Sequence, residues 1–240
     1  MHARGGKQAV VIYGPPGSGK GTQAELLARR YGFTHFDTGH YIDSVVHAPG
    51  ASKDPVLRRE RMAYDAGRLC TPSWVFRIVS DAVRRIARAG GSVAFSGSPR
   101  TVPEAFGPDY VSSGGRSQKI HGMYLLLEKL YGERNVHIVT LHIPDSASFK
   151  RNSRRFICSV CGLPVLASSR SRFCSFCEAP VRRRRDDSPK IIKDRLAEYR
   201  KRTYPILATL RKFGYRVHAV DGTPAPWKVH RNVARTLKLS

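Results

Sequence analysis

Hydrophobic and polar positions change period several times along this chain. Ala9-Val10-Val11-Ile12-Tyr13 is an unbroken apolar run, the pattern of a parallel strand buried on both faces. Residues 33–36, 92–95, 136–143 and 215–220 are further short runs of strand character. Between them the period lengthens to that of helices. Lys20–Tyr31 carries Leu26 and Leu27 and ends on Arg29-Arg30. After Thr71-Pro72, the residues Trp74, Val75, Ile78, Val79, Val83 and Ile86 form one apolar face, and Gly90-Gly91 stops it. Pro72 suits the first helical position and Thr71 the cap before it. Residues 119–131, 189–210 and a segment from about Ala225 also read as helical, whereas 107–118, rich in Gly, Ser and Pro, reads as a surface loop.

Strands alternating with helices predict a doubly wound α/β fold around a parallel five-stranded sheet, with ligands at the carboxyl ends of the strands. Two segments poor in strand pattern, 38–72 and 151–187, predict lobes that project over that edge. The core is then 1–37, 73–150 and 188–240. No internal repeat is present. At 240 residues the chain can bury a substantial core, and 41% hydrophobic residues argue against global disorder. No run of about 18 apolar residues predicts a membrane span. The first residues lack the apolar region of a secretion signal, so the expected location is cytoplasmic.

Charge changes the picture next. Lys and Arg number 42 against 18 Asp and Glu, a formal net charge of +24. Such a surface attracts polyanions, including nonspecific nucleic acid. The basic residues are dispersed, however, as they would be on ordinary solvated faces.

Candidate chemistry begins at the end of the first strand. Gly14-Pro-Pro-Gly17-Ser18-Gly19-Lys20-Gly21-Thr22 is a P-loop between strand and helix. Glycines at 14, 17, 19 and 21 allow backbone N–H groups to converge on phosphates, and the following helix adds its positive dipole end. Lys20 suits the β- and γ-phosphates of a nucleoside triphosphate, and the Thr22 hydroxyl suits Mg²⁺.

With Gly21 between Lys20 and Thr22, the loop resembles that of the adenylate kinase family of nucleoside monophosphate kinases. Asp37-Thr38-Gly39 resembles the family's Ser-Thr-Gly, and Gly97-Ser98-Pro99-Arg100-Thr101 its Gly-Phe-Pro-Arg-Thr. Arg151, Arg155, Arg184 and Arg195 resemble the arginines that flank its lid, and Val220-Asp221-Gly222 the stretch near its ATP adenine. The resemblance implies Mg²⁺-dependent phosphoryl transfer under a closing lid, most simply ATP plus AMP to two ADP, by a monomer. It implies catalysis by Lys20, Arg100, Arg155, Arg184 and Arg195. It places ATP on Gly17, Ser18, Gly19, Lys20, Gly21, Thr22, Arg151, Arg155 and Pro224. It places the monophosphate on Thr38, Leu69, Gly97, Arg100, Glu104, Arg184 and Arg195. Guanidinium groups suit the task, because phosphoryl transfer between polyphosphates rests on positioning and charge neutralisation.

The chain departs from the family pattern on the acceptor side. His40 stands where the family has Asp, Asp43 where it has Arg, Ser96 where it has Asp, and Glu104 where a Gln reads the AMP adenine. Asp37 is a candidate to replace a lost carboxylate. Glu104 has two readings, one contacting the base and the other closing a capping box with Thr101. The acceptor base stays open among AMP, CMP, UMP, GMP and deoxynucleotides. A kinase fold used to bind RNA is the rival reading.

Four of the five cysteines form two Cys-x2-Cys pairs, Cys158/Cys161 and Cys174/Cys177. Paired spacing in a cytoplasmic chain points to a four-thiolate structural Zn²⁺ site, with disulfides or free thiols the alternative. Some members of the resembled family staple their lid with zinc. A zinc-ribbon nucleic-acid reader is the other role for this lobe. Cys70 reads as an ordinary packed residue.

Overall fold

The computed structural model describes residues 6–108, 110, 122–166, 169–183 and 188–239. A parallel sheet of five strands forms the centre, in the order β2-β3-β1-β4-β8. These are β1 (Ala9–Tyr13), β2 (Thr34–Phe36), β3 (Val93–Phe95), β4 (Val136–His142) and β8 (Val217–Asp221). Three short antiparallel strands, β5 (Phe156–Cys158), β6 (Pro164–Val165) and β7 (Val181–Arg183), make a separate small sheet. The helices are α1 (Lys20–Tyr31), α2 (Thr38–Val46), α3 (Pro55–Asp65), α4 (Pro72–Arg88) and α5 (Val102–Phe106), then α6 (Met123–Tyr131), α7 (Asp145–Ser153), α8 (Pro189–Glu198), α9 (Tyr204–Lys212) and α10 (Pro226–Thr236).

Sequence pattern and packing agree in the sheet. Every residue of β1 is buried, and alternate side chains enter opposite layers. Ala9, Val11 and Tyr13 join Val75, Val79 and Val83 of α4 and Leu207 and Leu210 of α9 in one core. Val10 and Ile12 join Ala24 and Leu27 of α1 and Val229 and Val233 of α10 in the other. Burying each such aliphatic side chain stabilises the fold by about 1.5–3 kcal/mol. Because β1 lies between β3 and β4 in parallel register, the loops after β1 and β3 emerge side by side. That juxtaposition assembles the site.

Expected and observed elements differ chiefly at their ends. The strand expected at 136–143 stops at His142, and that expected at 215–220 runs over Val217–Asp221. Of the helix expected at 119–131, Met123–Tyr131 is helical, and 119–121 lie outside the described residues, as does most of the loop expected at 107–118. Residues 189–210 hold α8 and the start of α9, joined by a π-helical turn over Tyr199–Thr203.

Thr71 precedes α4 as expected, but its side chain does not cap the helix. The Thr71 hydroxyl donates to Glu60 Oε1 at 2.7 Å and its N–H to Glu60 Oε2 at 2.8 Å. Glu60 on α3 is only 1% exposed and also accepts from Arg59 at 2.8 Å. A buried carboxylate thus fixes the end of segment 38–72, just before α4, and outcompetes the local cap. Burial works against the Glu60 carboxylate, yet the donors from Thr71 and Arg59 win and hold its pKa below the ordinary range. A depressed folded-state pKa gives stability that is present above the unfolded carboxylate pKa and lost as pH falls through the folded one. Glu60→Ala leaves the Thr71 N–H without its partner. It is expected to lower unfolding free energy by about 1–3 kcal/mol near neutral pH, with a smaller deficit in acid. Urea denaturation of both proteins across pH measures this, and a deficit independent of pH would contradict the ionised network.

Candidate active site

The loop Gly14–Gly19 wraps the carboxyl end of β1. Gly17 has φ +77°, and a Cβ there would stand 2.7 Å from Asn152 Nδ2, so both conformation and space require glycine. Gly21 lies inside α1, with open space where a Cβ would be, so the loop's own geometry does not demand glycine there. Lys20 folds back over the loop, donating to Gly14 O at 2.7 Å and Pro15 O at 3.0 Å. Ser18 Oγ is buried without a hydrogen-bond partner among the described residues. Thr22 lies in the first turn of α1.

Positive charge converges on Lys20. Burial first, then Arg195, Arg100 and Arg155, push its pKa down to about 7, while Asp37 pulls the other way. Groups from α1, the loop after β3, the start of the small sheet and α8 are thus brought to one place. Asp37 N-caps α2, its Oδ1 accepting from Gly39 N at 2.9 Å and His40 N at 3.2 Å. Arg151 is differently employed. Its guanidinium donates to Gly222 O and Thr223 O, each at 2.8 Å, and to Gly17 O at 3.4 Å. It ties the loop after β8 to the loop after β1, next to Pro224. Arg184 lies outside the described residues.

A second cleft opens beside Arg100. Its lining includes Thr38, Leu69, Gly97, Arg100 and Glu104 of the residues expected there; Arg195, also expected, is not in that lining and acts on Lys20. It also includes Tyr64, Arg68, Cys70 and Ser98, which the sequence reading missed as a group. Cys70 is packed as expected, at 6% exposed, and forms part of this wall. The signal that could have found Arg68 is its adjacency to Leu69. Arg100 Nε donates to Gly97 O at 2.6 Å, which sets its guanidinium across the mouth. Thr38 Oγ1 is buried and has no hydrogen-bond partner among the described residues.

Three of the divergent positions, Asp43, Ser96 and Glu104, find local side-chain partners. Asp43 on α2 pairs at 3.1 Å with His47, the residue just past the helix end. Ser96 Oγ meets His35 Nε2 at 3.0 Å, and His35 Nδ1 meets Glu25 at 3.0 Å. Glu104 forms part of the expected capping box, its N–H donating to Thr101 Oγ1 at 3.4 Å, and it also lines the cleft. The Thr101 hydroxyl donates to it at 2.9 Å, and the backbone N–H that it accepts, at 3.0 Å, is that of Arg100. Burial raises the Glu104 pKa, with the Arg100 N–H and the Thr101 hydroxyl working against that rise.

The cysteine lobe gathers four thiols. The Sγ atoms of Cys158, Cys161, Cys174 and Cys177 all lie within 4.8 Å of one another. Cys158–Cys177 is 3.4 Å and Cys161–Cys174 is 3.7 Å, and every one is a free cysteine. A tetrahedral ion with bonds of about 2.3 Å needs sulfurs about 3.8 Å apart, so the donor set fits Zn²⁺. Amides complete the knuckles: Cys161 N reaches Cys158 Sγ at 3.3 Å and Phe176 N reaches Cys174 Sγ at 3.4 Å. Burial opposes ionisation of Cys158, but the N–H groups of Cys161 and Val160 hold its pKa down at about 6.

Comparison with known proteins agrees with this geometry. The family model described as adenylate kinase matches residues 12–215. The adenylate kinase of Chlamydia pneumoniae is 30% identical over 204 residues, covering 85% of each chain. That of Pelobacter propionicus is 29% identical over 233 residues, covering 95% of this chain and 96% of its own. That of Novosphingobium aromaticivorans is 29% identical over 222 residues, covering 89% and 91%.

The buried Lys20 gives a pH-dependent expectation. A polyanion favours the charged lysine, so binding raises its pKa from about 7. Affinity for a nucleoside triphosphate should then be fullest below pH 7 and decline as pH rises toward the higher, bound value. Binding at pH 8, above the phosphate's own second pKa of about 6, should take up protons. Isothermal titration in two buffers of different ionisation enthalpy reads this uptake. Equal heats in both buffers would contradict it.

Proposed function

The chain belongs to the adenylate kinase family, and we propose that it moves the terminal phosphoryl group of ATP onto a nucleoside 5′-monophosphate. Family membership makes it a phosphotransferase with a phosphate group as acceptor. The observation that carries the fuller reading is the convergence of Arg100, Arg155 and Arg195 on buried Lys20, beside a second cleft at Arg100. A protein that only held a triphosphate would need the loop and Lys20, but not that second cleft.

In this reading the amides of Gly17, Ser18, Gly19, Gly21 and Thr22 hold the donor's phosphates, and Lys20 leaves the loop carbonyls to reach them. Arg100 holds the acceptor's phosphate at the mouth of the second cleft. Arg68, which lines the same cleft, offers another cation there. Arg155 and Arg195 neutralise charge that grows between donor and acceptor. Because these groups are preorganised by the fold, they stabilise that charge without reorganising when it appears. Arg151 positions the donor site by clamping its two loops, and Pro224 borders it. Arg184 is assigned to catalysis and to the monophosphate by resemblance. Thr22 is the hydroxyl that would hold Mg²⁺ bound with ATP, and the ion would supply charge neutralisation at the phosphates.

Segment 38–72 is the acceptor lobe and 151–187 a lid in this proposal, with 1–37, 73–150 and 188–240 the core. Closure of the lid over ATP would exclude water and favour transfer over hydrolysis. Four thiolates leave Zn²⁺ no open coordination position, so its role is to fold the lid. The relatives are named for adenylate, which makes ATP plus AMP to two ADP the reference reaction.

A coupled assay for ADP, run on a panel of monophosphates with Mg·ATP, tests the reaction. Lys20→Ala should lower kcat/KM by about 100-fold or more while leaving the thermal midpoint near its original value. Absence of turnover with every monophosphate in a zinc-replete protein would overturn the proposal. Purified protein should also carry one zinc per chain. Chelation or Cys174→Ser should remove it and lower the melting temperature, and a Cys174→Ser protein with full zinc content would count against the four-thiolate site.

A further inference from the structure

Between α8 and α9 the helical ladder changes period. The turn Tyr199–Thr203 is π-helical, closed by the Tyr204 N–H on Tyr199 O. Its cause is visible in the sequence, because Pro205 is the second residue of α9. Proline has no N–H to donate to the carbonyl four residues back, here that of Lys201, and its ring crowds that carbonyl. A π-turn widens the ladder at that point by one residue, and such turns concentrate at functional sites.

Thr203 shows what the widened turn accomplishes. A threonine inside a helix commonly donates its hydroxyl to the carbonyl four residues back. Thr209 of α9 does so, reaching Pro205 O at 3.2 Å. The Thr203 hydroxyl instead donates to Arg100 O at 2.8 Å, a residue 103 positions earlier. That bond completes a grip on the Arg100 backbone. Its N–H donates to Glu104 Oε2 at 3.0 Å, and its own Nε donates to Gly97 O at 2.6 Å. Arg100 is exposed, so the direction of its guanidinium depends on how firmly its backbone is held.

The far side of the π-turn is held as well. Arg200 pairs with Asp145 in the first turn of α7, the helix that carries the loop clamp Arg151. Arg202 pairs with Glu198 at 3.0 Å. Immediately before the turn, α8 carries Arg195. Arg100 and Arg195 both press on Lys20, so the two guanidinium groups share one site. Like charges repel, and two arginines on separate elements keep a fixed spacing only if their backbones are tied. A hydrogen bond is short and directional enough to supply that tie.

We infer that Thr203 is a positioning residue for phosphoryl transfer, fixing Arg100 relative to the helix that carries Arg195. The inference rests on the phosphotransferase reading above. Transfer requires the acceptor phosphate and the transferring group to be held in near-attack geometry, where a shift of about 1 Å can cost up to about 100-fold in rate.

The test measures kcat/KM for AMP with Mg·ATP on zinc-replete native protein and on Thr203→Val, Thr203→Ala and Thr203→Ser. Both variants that lack the hydroxyl should lose about 10-fold, and Thr203→Ser should recover most of the loss. The bond lies at the surface, where water can replace the lost donor, so the thermal midpoint should stay near its native value. Calorimetric affinity for a nonhydrolysable ATP analogue should change by less than about two-fold. In an Arg100→Ala background there is no guanidinium left to place, and adding Thr203→Val should then change kcat/KM by less than about two-fold. Native kcat/KM in both Thr203→Val and Thr203→Ala overturns the inference. A full additional loss in the Arg100→Ala background also overturns it, as does a matching loss of donor affinity or of thermal stability. Absence of turnover by the native protein with any monophosphate overturns the kinase reading itself, and this inference with it.

Discussion

Everything in this molecule answers to the charge concentrated at one end of its central sheet. Burial first, and then three arginines from elsewhere in the chain, bring the Lys20 pKa to about 7. Without a ligand that arrangement is electrostatically costly, since like charges in a poorly solvated place repel. The sheet supports the cost through two apolar layers that fix β1 between β3 and β4. Bound phosphates would turn the same repulsion into attraction. The site is thus a fixed set of cations awaiting anions, which is the preorganisation phosphoryl transfer demands.

Local carboxylates are used to shape this site rather than to fill it. Asp37 is spent on the amides that begin α2, and Glu60 on Thr71 at the junction of segment 38–72 with α4. Glu25 is committed to His35 and Arg29. Ser96, where the family has a carboxylate, is neutral and engaged by His35. Glu104 alone among these carboxylates lines the cleft beside Arg100, held by the Thr101 hydroxyl and the Arg100 N–H of the turn beneath it. The cleft thus carries a buried carboxylate from the short helix α5 and an exposed arginine from the turn before it.

The cysteine lobe shows the opposite economy. Its strands are two or three residues long, and Val160, Leu166, Phe173 and Phe176 remain exposed. A sheet that small cannot bury a core of its own, so cross-linking has to come from elsewhere. The four sulfurs lie at separations that suit a metal, and Cys158 and Cys174 are the buried members of the set.

Much of the fold was legible in the sequence because its signals are local. The buried runs of β1 and β4, the amphipathic face of α4, the P-loop glycines and the cysteine spacing each depend on neighbours within a few residues. Helix ends and caps were less legible. Thr71 resembled a cap in its own dipeptide, yet Glu60, eleven residues earlier, takes both its donors. Arg151 resembled its fellow arginines in type and placement, but only its contacts with Gly222 and Thr223 show that it clamps loops.

By itself, then, the sequence determined which backbone could bend around phosphates, which residues carried permanent charge and which thiols could share one ion. Tertiary structure decided which of those charges act together. Lys20, Arg100, Arg155 and Arg195 are separated by tens of residues, and only the strand order places them around one point. It also decided that Arg68, Ser98 and Glu104 share a wall. The physical reason is range: torsional preference and spacing act along the chain, whereas electrostatic and hydrogen-bond partnership acts through space.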